Sequence, residues 1–161
     1  MSNTNVTPEQ ATAAAAALPQ IPDEVLRLEN QLCFPLYACS RKVVNLYTPY
    51  LKPLGITYTQ YIVLLVLWEQ DNVRVGDLCK ALYLDSGTLT PLLKKMEEAG
   101  FVKRFRSKED ERVVNVSLTE KGQALKEPAR QIPMQVGSCI PLAPEDAMQL
   151  HSLLHKVLEI I

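Results

Sequence analysis

The chain has 161 residues, 47% of them hydrophobic and 22% charged, with a net charge of -1. That is the make-up of one ordinary globular domain long enough for a core. It excludes a globally basic nucleic-acid binder, so any such surface must be a local patch. The four cysteines, at 33, 39, 79 and 139, are too few for a disulfide scaffold and form no CxxC pair.

The opening "MSNTNVTPEQATAAAAALPQIP" has no early Lys or Arg, and its apolar run is alanine. It does not read as a signal peptide. Residues 1–21 are expected to be a flexible low-complexity tail, with a frayed Ala-rich helix as the alternative. The longest strongly apolar run, "YIVLLVLW", is too short to span a bilayer. The expected compartment is the cytoplasm, where thiols stay reduced and a working disulfide is transient.

From about Pro22 to Leu51, apolar residues recur at helical spacing (Leu32, Leu36, Val43, Leu46, Tyr50) until "KPLG" ends the helix. "TYTQYIVLLVLWEQ" restarts it, with Thr57 or Thr59 as N-cap, and is apolar on most sides, as a buried helix is. A short helix is expected from Val73 to about Leu82. A longer one follows, capped by Asp85 or Ser86 and closed by Gly100, with local irregularity at Pro91. Two β-rich arms, Phe101 to Phe105 and Val113 to Leu118, flank a polar tip and predict a hairpin. Thr119 caps a further helix that Pro128 and Pro133 interrupt. The terminal helix is amphipathic, with Leu150, Leu153, Leu154, Val157 and Leu158 on its apolar side.

Helix, helix, short helix, longer helix, charged hairpin is the order of a winged helix-turn-helix. The expected fold is therefore mainly α with a small β-hairpin wing. A recognition helix needs small or polar residues in the turns that enter the major groove. Asp85, Ser86, Gly87, Thr88 and Thr90 supply them, and Lys94 and Lys95 can reach phosphates. A wing needs cations for phosphates or the minor groove. Lys103, Arg104, Arg106, Lys108 and Arg112 gather there, offset by Glu109, Asp110 and Glu111. Asp110 is placed to hold Arg112 through an ion pair. The bland alternative is a solvated helix followed by a solvated hairpin. A single charge run would fit it; the ordered combination favours double-stranded DNA.

The segment "LDSGTLTPLLKKMEEAGFVKRFRSKEDERVVNVSLTEKG" resembles the DNA-binding lobe of the MarR family of dimeric bacterial transcription regulators, whose wing DxR pattern appears as Asp110-Glu111-Arg112. The resemblance runs from about residue 25 to the end. It implies one domain over 22–161, with a winged helix-turn-helix lobe at about 57–118. Dimerisation helices are implied at about 22–51 and 119–161, giving a homodimer that reads a pseudo-palindromic operator.

"LENQLCFPLY" resembles the organic hydroperoxide sensor (OhrR-type) branch of that family. The resemblance implies that Cys33 is the peroxide-reactive thiol and that Tyr47 and Tyr58 hydrogen-bond its sulfur, with Tyr37 as a third tyrosine near the site. In its two-cysteine class, a second cysteine on the other subunit captures the oxidised sulfur, and Cys139 matches that placement. The implied function is a repressor, not an enzyme, released from DNA by an organic hydroperoxide entering an apolar pocket near Phe34, Leu36, Tyr37, Tyr47 and Tyr58. No cofactor or metal is implied.

Residue chemistry is compatible with this. A cysteine attacks peroxide as the thiolate, which hydrogen-bond donors or a helix dipole favour. Tyrosine hydroxyls donate without adding charge, and Tyr37 lies one turn after Cys33. Pro35 suits a first helical turn, which would put Cys33 at or just before a helix start. A kink in a longer helix is the other reading. Cys39 and Cys79 read as packing residues, whereas Cys139 sits in an accessible Gly/Pro-bounded turn. Three rivals remain: a regulator binding a phenolic ligand, a thiol peroxidase, and a metal-responsive regulator using His151 and His155 one turn apart. With only two histidines and no obvious carboxylate partner, those two read as solvent-facing or interface residues.

Overall fold

The computed structural model describes residues 21–161, so the expected tail lies outside the described residues except for Ile21. The described chain divides into two units, the first ending at Lys42 and the second spanning Val43–Ile161.

In the first unit, two short 3-10 turns, Asp23–Leu26 and Leu28–Asn30, precede helix α1, Cys33–Leu51. The helix expected from Pro22 therefore starts later. Asn30 Nδ2 donates to the Glu24 carbonyl at 2.6 Å, and Gln31 Nε2 donates to the Val25 carbonyl. These side chains occupy acceptors that a continuous α-helix would need for its own N–H groups. Pro35 is the third residue of α1, where its missing N–H has no intrahelical partner to lose. It lies in a first turn rather than at a kink.

In the second unit α1 ends at Leu51, and a 3-10 turn, Lys52–Leu54, closes on Gly55 in the left-handed region at φ 69°. Helix α2, Tyr58–Glu69, opens on a capping box in which Thr57 and Gln60 each satisfy the other's backbone N–H. Val73–Arg74 forms strand β1, and helix α3 spans Val75–Leu82. The helix expected to start at Val73 thus begins two residues later. Helix α4, Ser86–Glu98, is capped by Asp85, whose side chain accepts from the Thr88 N–H. Pro91 lies inside it without breaking it; the carbonyl one turn back belongs to Gly87, which is exposed to water.

Strands β2, Val102–Arg106, and β3, Val114–Leu118, form the wing hairpin. The sheet order is β1-β3-β2, all antiparallel, with Val73 opposite Val116 and Arg104 opposite Val116 on the other edge. Beyond it come α5, Glu120–Ala124, α6, Lys126–Ala129, α7, Ile132–Ser138, and α8, Pro144–Ile160. Pro128 and Pro133 fall in the interrupted stretch, as expected.

The core joins α2, α3, α4 and the sheet through Leu64, Leu67, Leu78, Leu89, Leu93, Met96, Val102 and Val116, all essentially solvent-free. Burying an aliphatic side chain of this kind stabilises by about 1.5–3 kcal/mol. Two polar bonds tie the lobe to the following helices: Trp68 Nε1 donates to the Gly122 carbonyl at 3.1 Å, and Lys126 Nζ to the Trp68 carbonyl at 3.0 Å. Helix α8 has no buried residue, and its apolar side, Leu150 to Leu158, stands exposed in the single chain.

Candidate functional site

The first candidate surface is α4 with the wing. Asp85 fixes the start of α4 twice over, accepting from the Thr88 N–H and the Thr88 hydroxyl, each at 2.8 Å. Those bonds, the hydroxyl's first, hold the Asp85 carboxyl below its usual range. Ser86, Thr88 and Thr90 are exposed on the first turns, and Lys94 and Lys95 on the next. Lys94 Nζ sits 4.0 Å from Glu98, an exposed pair of little energetic weight that leaves the ammonium free for other partners.

On the wing, Arg104 is already engaged. Its Nε and Nη2 donate to Glu97 Oε2 at 2.9 and 2.7 Å, and its backbone N–H donates to Glu97 Oε1 at 2.8 Å. The pair joins the end of α4 to the middle of β2 and holds the Glu97 carboxyl below its ordinary range, chiefly through the Arg104 side chain. Arg112 makes the expected ion pair with Asp110, donating from Nε and Nη2 at 3.1 Å each, and its backbone N–H adds a third bond at 3.0 Å. The Arg112 side chain keeps 91% of its exposure, so the carboxylate aims the guanidinium without covering it. Arg106 Nη1 donates to the Glu111 carbonyl at 2.6 Å across the tip, and Lys108 is exposed there.

Between α3, α4 and the wing lies a cleft of about 390 Å³ bordered by Arg74, Lys80, Thr90, Arg104 and Arg112. Sequence reasoning missed Arg74, because a two-residue strand shows no period of its own. It also missed Tyr83, which is 69% exposed in the helix-turn-helix turn and adopts φ 53°, a costly conformation for a bulky residue. Glu97 was missed too; a glutamate on a polar helix face carries no signal of its partner.

The second candidate centre is the thiols and tyrosines. Cys33 is exposed and is the first residue of α1. Phe34, Leu36 and Tyr37 nearby are exposed as well, and Arg41 Nη1 donates to the Tyr37 hydroxyl at 2.9 Å. Cys39, expected as a packing residue, is exposed in the single chain, whereas Cys79 packs against the core as expected.

In the other unit Tyr47 and Tyr58 come together, with ring centroids 4.9 Å apart, and buried Tyr61 completes an aromatic cluster at 5.8 Å from Tyr47. Burial, then the neighbouring Tyr47, pushes the Tyr58 hydroxyl above its usual pKa, so it stays a neutral donor. A cleft of about 390 Å³ opens beside Tyr58, walled by Val44, Leu51 and Ile56.

Cys139 terminates α7, is exposed, and its thiol donates to the Gln135 carbonyl at 3.4 Å. The Cys139 thiol also raises the pKa of the Tyr50 hydroxyl, by hydrogen bonding first and then by charge. Tyr50 entered the sequence reading only as an apolar position. His151 and His155, one turn apart on α8, bring their Nε2 atoms to 3.1 Å. Among the described residues, no group of three or more His, Cys, Asp or Glu is placed to hold a metal ion, and no single helix is long and apolar enough to cross a membrane.

A family described as "Transcriptional regulator SarA/Rot" matches residues 45–128. The organic hydroperoxide resistance transcriptional regulator of Bacillus subtilis is 52% identical over 134 residues, which is 83% of this chain and 91% of that protein. Two solved structures of AbfR are also similar. The reduced form bound to DNA is 39% identical with a TM-score of 0.70, covering 86% of this chain and 97% of that one. The disulfide form is 39% identical with a TM-score of 0.59, covering 84% and 96%. The reduced form of MarR from E. coli is 31% identical with a TM-score of 0.66, covering 80% and 96%. The chain therefore belongs to the MarR family of winged-helix transcription regulators, alongside the organic hydroperoxide resistance regulator.

Proposed function

We propose that the chain is a peroxide-responsive transcriptional repressor: a homodimer that holds operator DNA while Cys33 is reduced and lets go when it is oxidised. The observation that carries this reading is the exposed thiol of Cys33 on the first residue of α1, in a chain of this family. The free N–H groups of a first helical turn point toward negative charge at that position. Similarity to the Bacillus subtilis regulator supports the class of oxidant, and AbfR, solved both reduced on DNA and with a disulfide formed, supports a thiol switch.

In this reading α4 enters the major groove. Ser86, Thr88 and Thr90 face base edges, Asp85 fixes the helix start, and Lys94 and Lys95 meet phosphates. Arg106, Lys108 and Arg112 serve the wing, with Asp110 aiming Arg112. Arg104 acts through Glu97 to set the angle between wing and helix. A regulator of this kind works beside the DNA, in the cytoplasm.

The switch has two steps. The Cys33 thiolate attacks the outer peroxide oxygen; an S–O bond forms, the O–O bond breaks, and the alkoxide leaves to be protonated as alcohol, giving a sulfenic acid. Tyr47 and Tyr58 orient the oxidant and donate to the charge, with Tyr37, Phe34 and Leu36 around the entry. The thiol of Cys139 in the partner then attacks the oxidised sulfur, expelling water and forming an intersubunit disulfide. Closing that bond moves the terminal helices and spoils the spacing of the two recognition helices. Thiol reductants reverse it.

The test is operator binding by Cys33→Ser. The variant should bind operator like the parent and stay bound after cumene hydroperoxide. If it dissociates on oxidation like the parent, Cys33 is not the sensor.

A further inference from the structure

We propose that His151 and His155 form a surface chelate for a divalent first-row transition ion of the kind that prefers imidazole, such as zinc, nickel or copper. Two histidines one turn apart lie on the same helix face, the spacing that lets a helix offer two ligands to one metal. Spacing brings the rings near each other; it does not make their nitrogens converge. Here they do. The two Nε2 atoms are 3.1 Å apart and the ring centroids 4.3 Å, with the rings tilted by 51° rather than stacked.

That separation matches shared coordination. Nitrogens about 2.0–2.1 Å from a common ion and 3.1 Å from each other subtend roughly 100° at the ion, between the octahedral and tetrahedral angles. The competing account of the same distance is one imidazole N–H donating to the other ring's nitrogen. At an exposed position water competes for that bond, so its net worth is small.

The pair stands on α8, which has no buried residue in the described chain. An ion bound to both imidazoles ties one turn to the next and stabilises the helix by mass action. The remaining coordination positions are open to water or to a donor from outside the chain. Glu159 is one turn beyond His155 on the same helix, within the stretch that such a link would order.

Calorimetric titration of nickel(II) into the reduced full-length protein tests the assignment, with His151→Gln, His155→Gln and the double variant Cys33→Ser/Cys139→Ser alongside. Both imidazoles are exposed in the single chain, and the glutamine variants should keep the parent's circular dichroism and dimeric state, which are checked first. The expected result is one ion per chain, weakened at least about tenfold by either histidine substitution, as befits loss of a direct ligand. The cysteine variant should bind like the parent, and a nickel-dependent rise in melting temperature should vanish in the histidine variants. Three results overturn the proposal: no binding by the parent, equal binding by the histidine variants, or binding lost with the cysteines.

Discussion

Removing Glu97 tests how the DNA-reading lobe is built. Its carboxylate accepts two bonds from the Arg104 guanidinium and one from the Arg104 backbone N–H, at 2.7–2.9 Å. Hydrogen bonds to a charged group contribute about 1.5–3 kcal/mol each when sheltered. The two side chains are 26% and 36% exposed, so screening cuts the ion-pair part to under about 1 kcal/mol. The stranded backbone N–H adds about 1–2 kcal/mol. Glu97→Ala should therefore destabilise by about 2 kcal/mol at neutral pH.

The pH dependence has a definite sign. Folding holds the Glu97 carboxyl below its ordinary value of 4.5. Its contribution is complete above that value and is lost as pH falls through the lower, folded one. Urea unfolding of parent and variant at one protein concentration should show the full deficit at pH 7 and a smaller one in acid. The variant should also bind operator more weakly, because the wing loses its link to α4. A variant as stable as the parent at pH 7, or a deficit unchanged in acid, would refute this.

Other consequences follow from single contacts. A Cβ at Gly122 would drive into the Phe101 carbonyl oxygen, and backbone cannot move aside cheaply. Gly122→Ala should cost about 1–3 kcal/mol, read as a lower melting temperature. In the proposed switch Tyr58 donates to the Cys33 sulfur, so Tyr58→Phe should slow oxidation of Cys33, followed by stopped-flow, about tenfold or more, the equivalent of one charge-assisted bond, with operator affinity unchanged. Asp85→Ala removes both bonds to Thr88 and should lower operator affinity in a gel-shift titration more than it lowers overall helicity by circular dichroism.

What the sequence made legible is what local chemistry decides. Thr119 caps the helix it was expected to cap, and Thr57 and Asp85 do so where Thr59 and Ser86 were the alternatives, because a short oxygen-bearing side chain just before a helix can satisfy its free N–H groups. Gly100 takes φ 76°, which its place after a helix demands. The hairpin arms came through because aromatic and β-branched residues, Phe101, Val102 and Phe105 before the charged tip and Val113, Val114 and Val116 after it, flank that tip. Strand β1 did not, since two residues carry no period and only the partner strand makes Val73 and Arg74 a strand. The late start of α1 was hidden because it depends on Asn30 and Gln31 reaching carbonyls six residues back. At the candidate site, the Asp110–Arg112 pair was readable from adjacency. Glu97–Arg104, Tyr50 beside Cys139 and the convergence of the two histidines depend on tertiary placement or rotamer, which spacing alone leaves open.

The central claim is that one thiol senses the oxidant and a thiol of the other subunit locks the result. Peptide mapping by mass spectrometry under non-reducing conditions, after one equivalent of cumene hydroperoxide, tests it most directly when a gel shift is run on the same sample. The expected outcome is a Cys33–Cys139 cross-link between subunits, appearing in step with loss of operator binding and removed by dithiothreitol. A Cys33–Cys39 link within one chain, or operator released with both Cys33 and Cys139 still reduced, would contradict the account.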